Sequence, residues 1–174
     1  MDFENSRSRS YAILVRVLQA ACCIIVAALV ATASGYCITM SKGKQTTTVC
    51  STSDTGLDIR NWSENKVYKE LPGQYFVFIS ALLFLMVSFG MVFLAVANRR
   101  SKTAVTTLCA LGALFMSVSG ALEGWYASGF GHGTEDIQFY IRSWVAGSVF
   151  CFLAAILYII DMFMALKRNS ISNW

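Results

Sequence analysis

Four ionisable side chains, Arg16, Glu123, Arg142 and Asp161, stand inside or at the edges of long apolar runs. Within a bilayer an isolated Asp, Lys or Arg at mid-depth costs roughly 2.5–3.5 kcal/mol on insertion scales. Such groups therefore pair, line a polar pathway, or snorkel to an interface. A proton relay would need acids stacked through the bilayer, and the spacing here supplies none. Pairing by depth is the chemistry that the spacing suggests. Arg16 and Asp161 lie near one membrane face and Glu123 and Arg142 near the other, so the expected intramembrane ion pairs are Arg16–Asp161 and Glu123–Arg142. The alternative is that each charge snorkels alone to its own interface.

The elements that must position these residues follow from where charges are missing. The chain has 174 residues, of which 56% are hydrophobic and 14% charged, against about 25% charged in soluble domains. Mean hydropathy is +0.55. This composition excludes a soluble globular domain and a disordered chain. The charge-free intervals are 25 residues between Arg16 and Lys42, 28 between Glu70 and Arg99, 20 between Lys102 and Glu123, and 18 between Arg142 and Asp161. A hydrocarbon core about 30 Å thick takes roughly 20 apolar residues in a helix. Lipid cannot satisfy backbone polar groups, so the spans must be helical. The expected fold is all-α, a four-helix transmembrane bundle forming a single domain over 1–174. Its spans are placed at about 12–39, 74–98, 103–127 and 138–166, with a large loop at about 40–73. A cleaved signal peptide is the rival reading of the first run, weakened by that run's length.

Basic residues orient the bundle. Arg7 and Arg9 precede the first span, Arg99, Arg100 and Lys102 crowd the second connection, and Lys167 and Arg168 follow the last span. The third connection carries Glu135 and Asp136. The positive-inside rule then places both termini in the cytoplasm and the large loop outside. The net charge of +4 reflects these stop signals, and no nucleic-acid partner is expected. The expected partners are the lipid bilayer and other membrane proteins, junctional proteins or further copies of this chain.

On the outer side, Asn61-Trp62-Ser63 is an N-glycosylation sequon. Thr46-Thr47-Thr48-Val49-Cys50 is β-branched and suits a short strand. Cys37 and Cys50 are the two cysteines placed at or beyond the outer surface, where a disulfide is permitted. Cys22, Cys23 and Cys151 fall within spans as small apolar residues. Gly120 and Gly124 form a GxxxG that packs helices, either within the bundle or between copies. His132 has no second ligand beside it, so neither a metal nor a cofactor is expected. No phosphate-binding loop, dinucleotide fingerprint or nucleophile–base arrangement is present, and no enzymatic activity is expected.

Two segments resemble MARVEL-type proteins. Tyr140-Ile141-Arg142-Ser143-Trp144-Val145-Ala146, followed by Val149-Phe150-Cys151-Phe152 and ending at Tyr158-Ile159-Ile160-Asp161, is similar to their last span. Leu14-Val15-Arg16-Val17-Leu18-Gln19 is similar to their first. The resemblance implies a membrane-organising role: apposing membranes at cell junctions, sorting lipid domains or shaping vesicles. The small four-span proteins of smooth septate junctions are similar in size and also carry a Trp followed by glycines in the third-to-fourth hairpin. The claudin, peripheral-myelin and calcium-channel-gamma group shares the layout. Its loop hallmark is broken here, because Asp58 follows Gly56-Leu57 and Cys50 precedes them. The expected function is a non-enzymatic scaffold of a plasma-membrane cell–cell junction. The alternatives are a vesicle-trafficking or lipid-sorting protein and an auxiliary subunit of a channel.

Overall fold

The computed structural model describes the backbone of residues 2–32, 37–42, 45–50, 72–97, 102–128, 138–139 and 142–171, and the side chains of 10–32, 73–97, 102–128 and 143–167. Four helices make up most of this. They are α1 (Asp2–Thr32), α2 (Pro72–Val96), α3 (Lys102–Ala127) and α4 (Arg142–Ile171). Each contains a stretch of 23 to 26 residues long and apolar enough to cross a membrane. At 1.5 Å per residue these stretches reach about 35 Å or more, which exceeds the hydrocarbon thickness. Pro72, the single proline of the chain, opens α2, where its fixed φ suits a helix start and its missing N–H costs nothing.

The helices alternate in direction and close a ring in which α1 packs on α2 and α4, and α3 packs on α2 and α4. Contact is most extensive between α3 and α4 and least between α2 and α3. The core runs through the middle of the ring and includes Cys23, Val26, Val30, Val77, Phe84, Met116, Cys151 and Tyr158. The outward surface is apolar: Met86 is 70% and Phe93 72% exposed. Water would penalise such a surface, whereas hydrocarbon solvates it. Meanwhile Arg16, Gln19, Gln74, Ser80, Ser88, Ser119, Glu123 and Asp161 are all buried in the bundle. The polar side chains therefore turn inward, as they must where lipid offers no hydrogen bonds.

A small sheet sits at the end of the bundle where α1 finishes. β1 (Cys37–Lys42) and β2 (Gln45–Cys50) form an antiparallel hairpin, and β1 also pairs with β3 (Gln138–Phe139), giving the order β2-β1-β3. The β-branched run from Thr46 to Val49 thus lies in a strand, as its composition predicts. Two span boundaries differ from expectation. The first helix ends at Thr32 rather than near 39, and the last begins at Arg142 rather than 138, because residues 37–42 and 138–139 pair with each other as strands. The absence of charge between Arg16 and Lys42 marks an apolar run but not where its backbone changes partner. Polar Thr39 and Ser41 alternate with Ile38 and Met40, which is a strand period.

Candidate functional site

Arg16 and Asp161 meet in the half of the bundle away from the sheet. Arg16 enters from α1, six residues after Ser10, and Asp161 from α4, six residues before Lys167. Each is therefore about 9 Å inside its span. Arg16 Nε donates to Asp161 Oδ2 at 2.8 Å and its Nη2 donates to Oδ1 at 3.2 Å, a bidentate pair. Its Nη1 donates to the Met91 carbonyl of α2 at 2.9 Å. The Cys109 thiol of α3 donates to Asp161 Oδ2 at 3.6 Å. Relative exposure is 3% for Arg16 and 1% for Asp161. One net-neutral cluster therefore touches all four helices. The planar guanidinium matches the carboxylate fork, and both carboxylate oxygens are engaged. The arrangement fixes helix positions by engaging both oxygens of Asp161.

A second polar layer continues toward the bundle centre. Tyr158, three residues before Asp161 and on the same helix face, donates to the Phe84 carbonyl at 3.1 Å, and its hydroxyl oxygen lies 2.8 Å from Ser88 Oγ. With the phenolic proton given to Phe84, Ser88 is the donor to Tyr158. Gln19, three residues after Arg16, donates to the Leu157 carbonyl at 3.1 Å. Sequence reasoning does not single out Gln19, Ser88, Tyr158, Cys109 or the Met91 carbonyl as partners of the two charges. The signal for Tyr158 and Gln19 was their spacing of three from the two charges. The carbonyl left no signal, because every residue has one.

At the opposite face the described residues supply no partner for Glu123. Neither carboxylate oxygen of Glu123 has a hydrogen-bond partner, although the residue is fully buried. Glu123 points instead at Gly147 of α4, where an added Cβ would sit 3.4 Å from Oε2. Gln74 of α2, also fully buried, faces it. Gly147 lies five residues beyond Arg142, about 7.5 Å along the helix axis, so Arg142 starts too near the membrane surface to match Glu123 in depth. The Arg142 side chain itself lies outside the described residues. Ser119 Oγ and Trp144 Nε1 are likewise buried without partners. This end of the bundle thus gathers polar groups with little mutual satisfaction, the reverse of the Arg16–Asp161 end.

That contrast gives a direct expectation. Glu123→Gln removes a formal charge that has no counter-ion among the described residues and keeps the shape, so thermal stability in detergent should stay within about 1 kcal/mol of the parent or rise. A fall as large as that of Asp161→Asn, measured side by side, would mean that the Glu123 charge is paired.

Gly120 and Gly124 lie on the α3–α4 seam. A Cβ at Gly120 would be 3.1 Å from Phe152 Cε2 and 3.2 Å from Cys151 Cβ, and one at Gly124 would be 3.3 Å from Ser148 Oγ. Ser148 donates to the Gly120 carbonyl at 2.8 Å. The motif is therefore used inside the bundle, where small residues let the two backbones approach. Cys37 and Cys50 are register partners in the hairpin backbone. Their side chains, and Asn61 altogether, lie outside the described residues.

Comparison with known families settles the class. The family model for MARVEL, a membrane-associating domain, matches residues 7–164. The chain belongs to the MARVEL family. No curated relative and no solved structure matches it. The two segments that resembled MARVEL spans contribute Arg16 and Asp161, and the MARVEL fold of this chain joins these residues through 145 positions of sequence. A membrane-associating, multi-pass protein held together by a buried ion pair is what family and geometry establish together.

Proposed function

We propose that this MARVEL protein is a non-enzymatic organiser of a plasma-membrane cell–cell junction, acting by lateral association of its lipid-facing helix surfaces and by contacts of its large loop. The observation that carries the reading is the division of labour in the fold. The strong polar chemistry of the described residues is spent inside, on tying four helices together, while the surface offered to neighbours is an apolar belt with a small sheet at one end. Such a molecule acts through what it touches. Both termini are assigned to the cytoplasm and the sheet to the outside. In support, the helix directions collect the N-terminal segment, the α2–α3 connection and the C-terminal segment at one end, and these hold Arg7, Arg9, Arg99, Arg100, Lys167 and Arg168. The loop from α1 to α2 is longer than a connector requires and carries the hairpin.

The test is imaging of the C-terminally tagged chain in polarised epithelial cells with junction and endosome markers. The parent is expected at cell–cell contacts. A variant lacking residues 45–65 should lose that enrichment while its four spans remain inserted, as read by carbonate extraction. Unchanged targeting of the variant, or a vesicular pattern for the parent, would move the assignment to lipid sorting and trafficking.

A further inference from the structure

The sheet brings together two residues that no other part of the fold explains. β1 and β2 pair in a register that runs from Lys42 opposite Gln45 to Cys37 opposite Cys50. Only Gly43 and Lys44 connect the strands, and a glycine in the first of two loop positions suits a tight hairpin turn. That register sets Cys37 directly across from Cys50 at the base of the hairpin. Directly opposed residues of an antiparallel pair have Cα atoms about 4.5 or 5.5 Å apart, and disulfides join Cα atoms roughly 4.4–6.8 Å apart. The remaining four cysteines, Cys22, Cys23, Cys109 and Cys151, are within helical spans and are free thiols. The hairpin pair is thus separated from them by fold as well as by membrane side.

We propose that Cys37 and Cys50 are joined by a disulfide that clasps the hairpin at its membrane-proximal base. The neighbouring positions show what the clasp holds. Ile38, next to Cys37, pairs with Phe139, and Thr39 pairs with Gln138. β1 is the central strand, so the base of the hairpin is also where the large loop meets the second loop on that face. A two-stranded ribbon is marginal by itself, and a two-residue third strand adds little. A covalent link at the base fixes the strand on which both loops depend. Its formation takes two thiols to one disulfide, releasing two protons and passing two electrons to the disulfide of a thiol–disulfide oxidoreductase, which leaves as a dithiol. The inference rests on the reading that the sheet end faces the oxidising side.

The test uses the full-length tagged chain in cell membranes. Free thiols are blocked with N-ethylmaleimide in SDS, the sample is reduced, and newly exposed thiols are tagged with a maleimide-coupled polymer that retards the chain on gels. The parent should gain two tags, and Cys37→Ser, Cys50→Ser and the double variant should each gain none. In parallel, an epitope inserted between residues 52 and 53 should stain intact cells. A parent that gains no tag while the epitope stains from outside would overturn the disulfide and leave the topology standing. Single variants that still gain tags would overturn this pairing in favour of another. An epitope that stains only after permeabilisation would overturn the topology and the disulfide with it.

Discussion

Asp161→Ala is expected to cost about 3–5 kcal/mol and to leave most of the chain retained in the endoplasmic reticulum. The double variant Arg16→Met with Asp161→Leu should recover much of the loss. The asymmetry arises because the single change leaves the Arg16 guanidinium buried at 3% exposure with only the Met91 carbonyl for company. Removing both charges leaves an apolar cluster of similar volume in a core that already accepts Leu and Met. A buried ion pair adds little net stability over such a replacement, yet breaking one half of it is severe. The measurement is a double-mutant cycle, with thermal unfolding in detergent and surface abundance as its two readings. A loss in the double variant equal to the sum of the two single losses would show that the two side chains do not depend on each other. The same cycle separates a structural pair from a transport site, since a pair whose only task is to join helices tolerates its own joint removal.

Gly112→Ala is expected to destabilise by about 1–3 kcal/mol, while Gly90→Ala should be harmless or stabilising. An added Cβ at Gly112 would fall 2.8 Å from Cδ1 and 2.9 Å from Cγ of Tyr158. Those are ring atoms close to the backbone of a fully buried side chain, not the free end of a flexible one. The ring is held by contact with Phe84, centroids 5.7 Å apart in an edge-on arrangement, and by its hydroxyl contacts with Ser88 and the Phe84 carbonyl. It cannot swing aside without giving up those partners. Gly90 is exposed on α2 with nothing within 4 Å of an added Cβ, so alanine there gains helix propensity and meets no neighbour. Melting temperatures of the two purified variants decide the matter. Combining Gly112→Ala with Tyr158→Val should be less costly than the sum of the parts, because the second change removes the ring that the new methyl strikes. Strict additivity would mean that the close approach at Gly112 is not what limits α3–α4 packing.

These outcomes bear on how a membrane scaffold differs from a soluble one. Association of helices in lipid gains little from the hydrophobic effect, since lipid tails are as apolar as leucine. The α3–α4 seam therefore depends on close backbone approach at glycines and on the Ser148–Gly120 hydrogen bond. The α1–α4 and α1–α2 seams depend on Arg16. The α2–α3 seam, where Gln74 faces Glu123, has the least extensive contact of the four and rests largely on the packing of Phe76 and Phe84 against Phe115. It is the seam at which the bundle has least holding it shut.

The sequence by itself determined the class, the number of spans and the depth of the charges. Charge-free runs of 18 to 28 residues can lie in a membrane only as helices, because lipid leaves the backbone no partner but itself. It also indicated a strand at Thr46–Val49 from β-branched content and pointed to Arg16 with Asp161 from matching depth. Depth is a one-dimensional quantity that sequence position measures well. What depth could not give was azimuth, the direction in which each side chain leaves its helix. Glu123 and Arg142 belong to adjacent helices near the same membrane face, yet Glu123 turns to Gly147 and Gln74. Gly120 and Gly124 could have faced another copy, and they face α4. The end of α1 at Thr32 was hidden because residues 37–42 are apolar enough to extend a span, and only pairing with residues 45–50 and 138–139 draws them into a sheet. Each of these was decided by tertiary packing, for a single physical reason. A hydrocarbon environment fixes which residues must be inside the membrane, but only the neighbouring helices and strands, competing for the same polar groups and the same space, fix which of them meet.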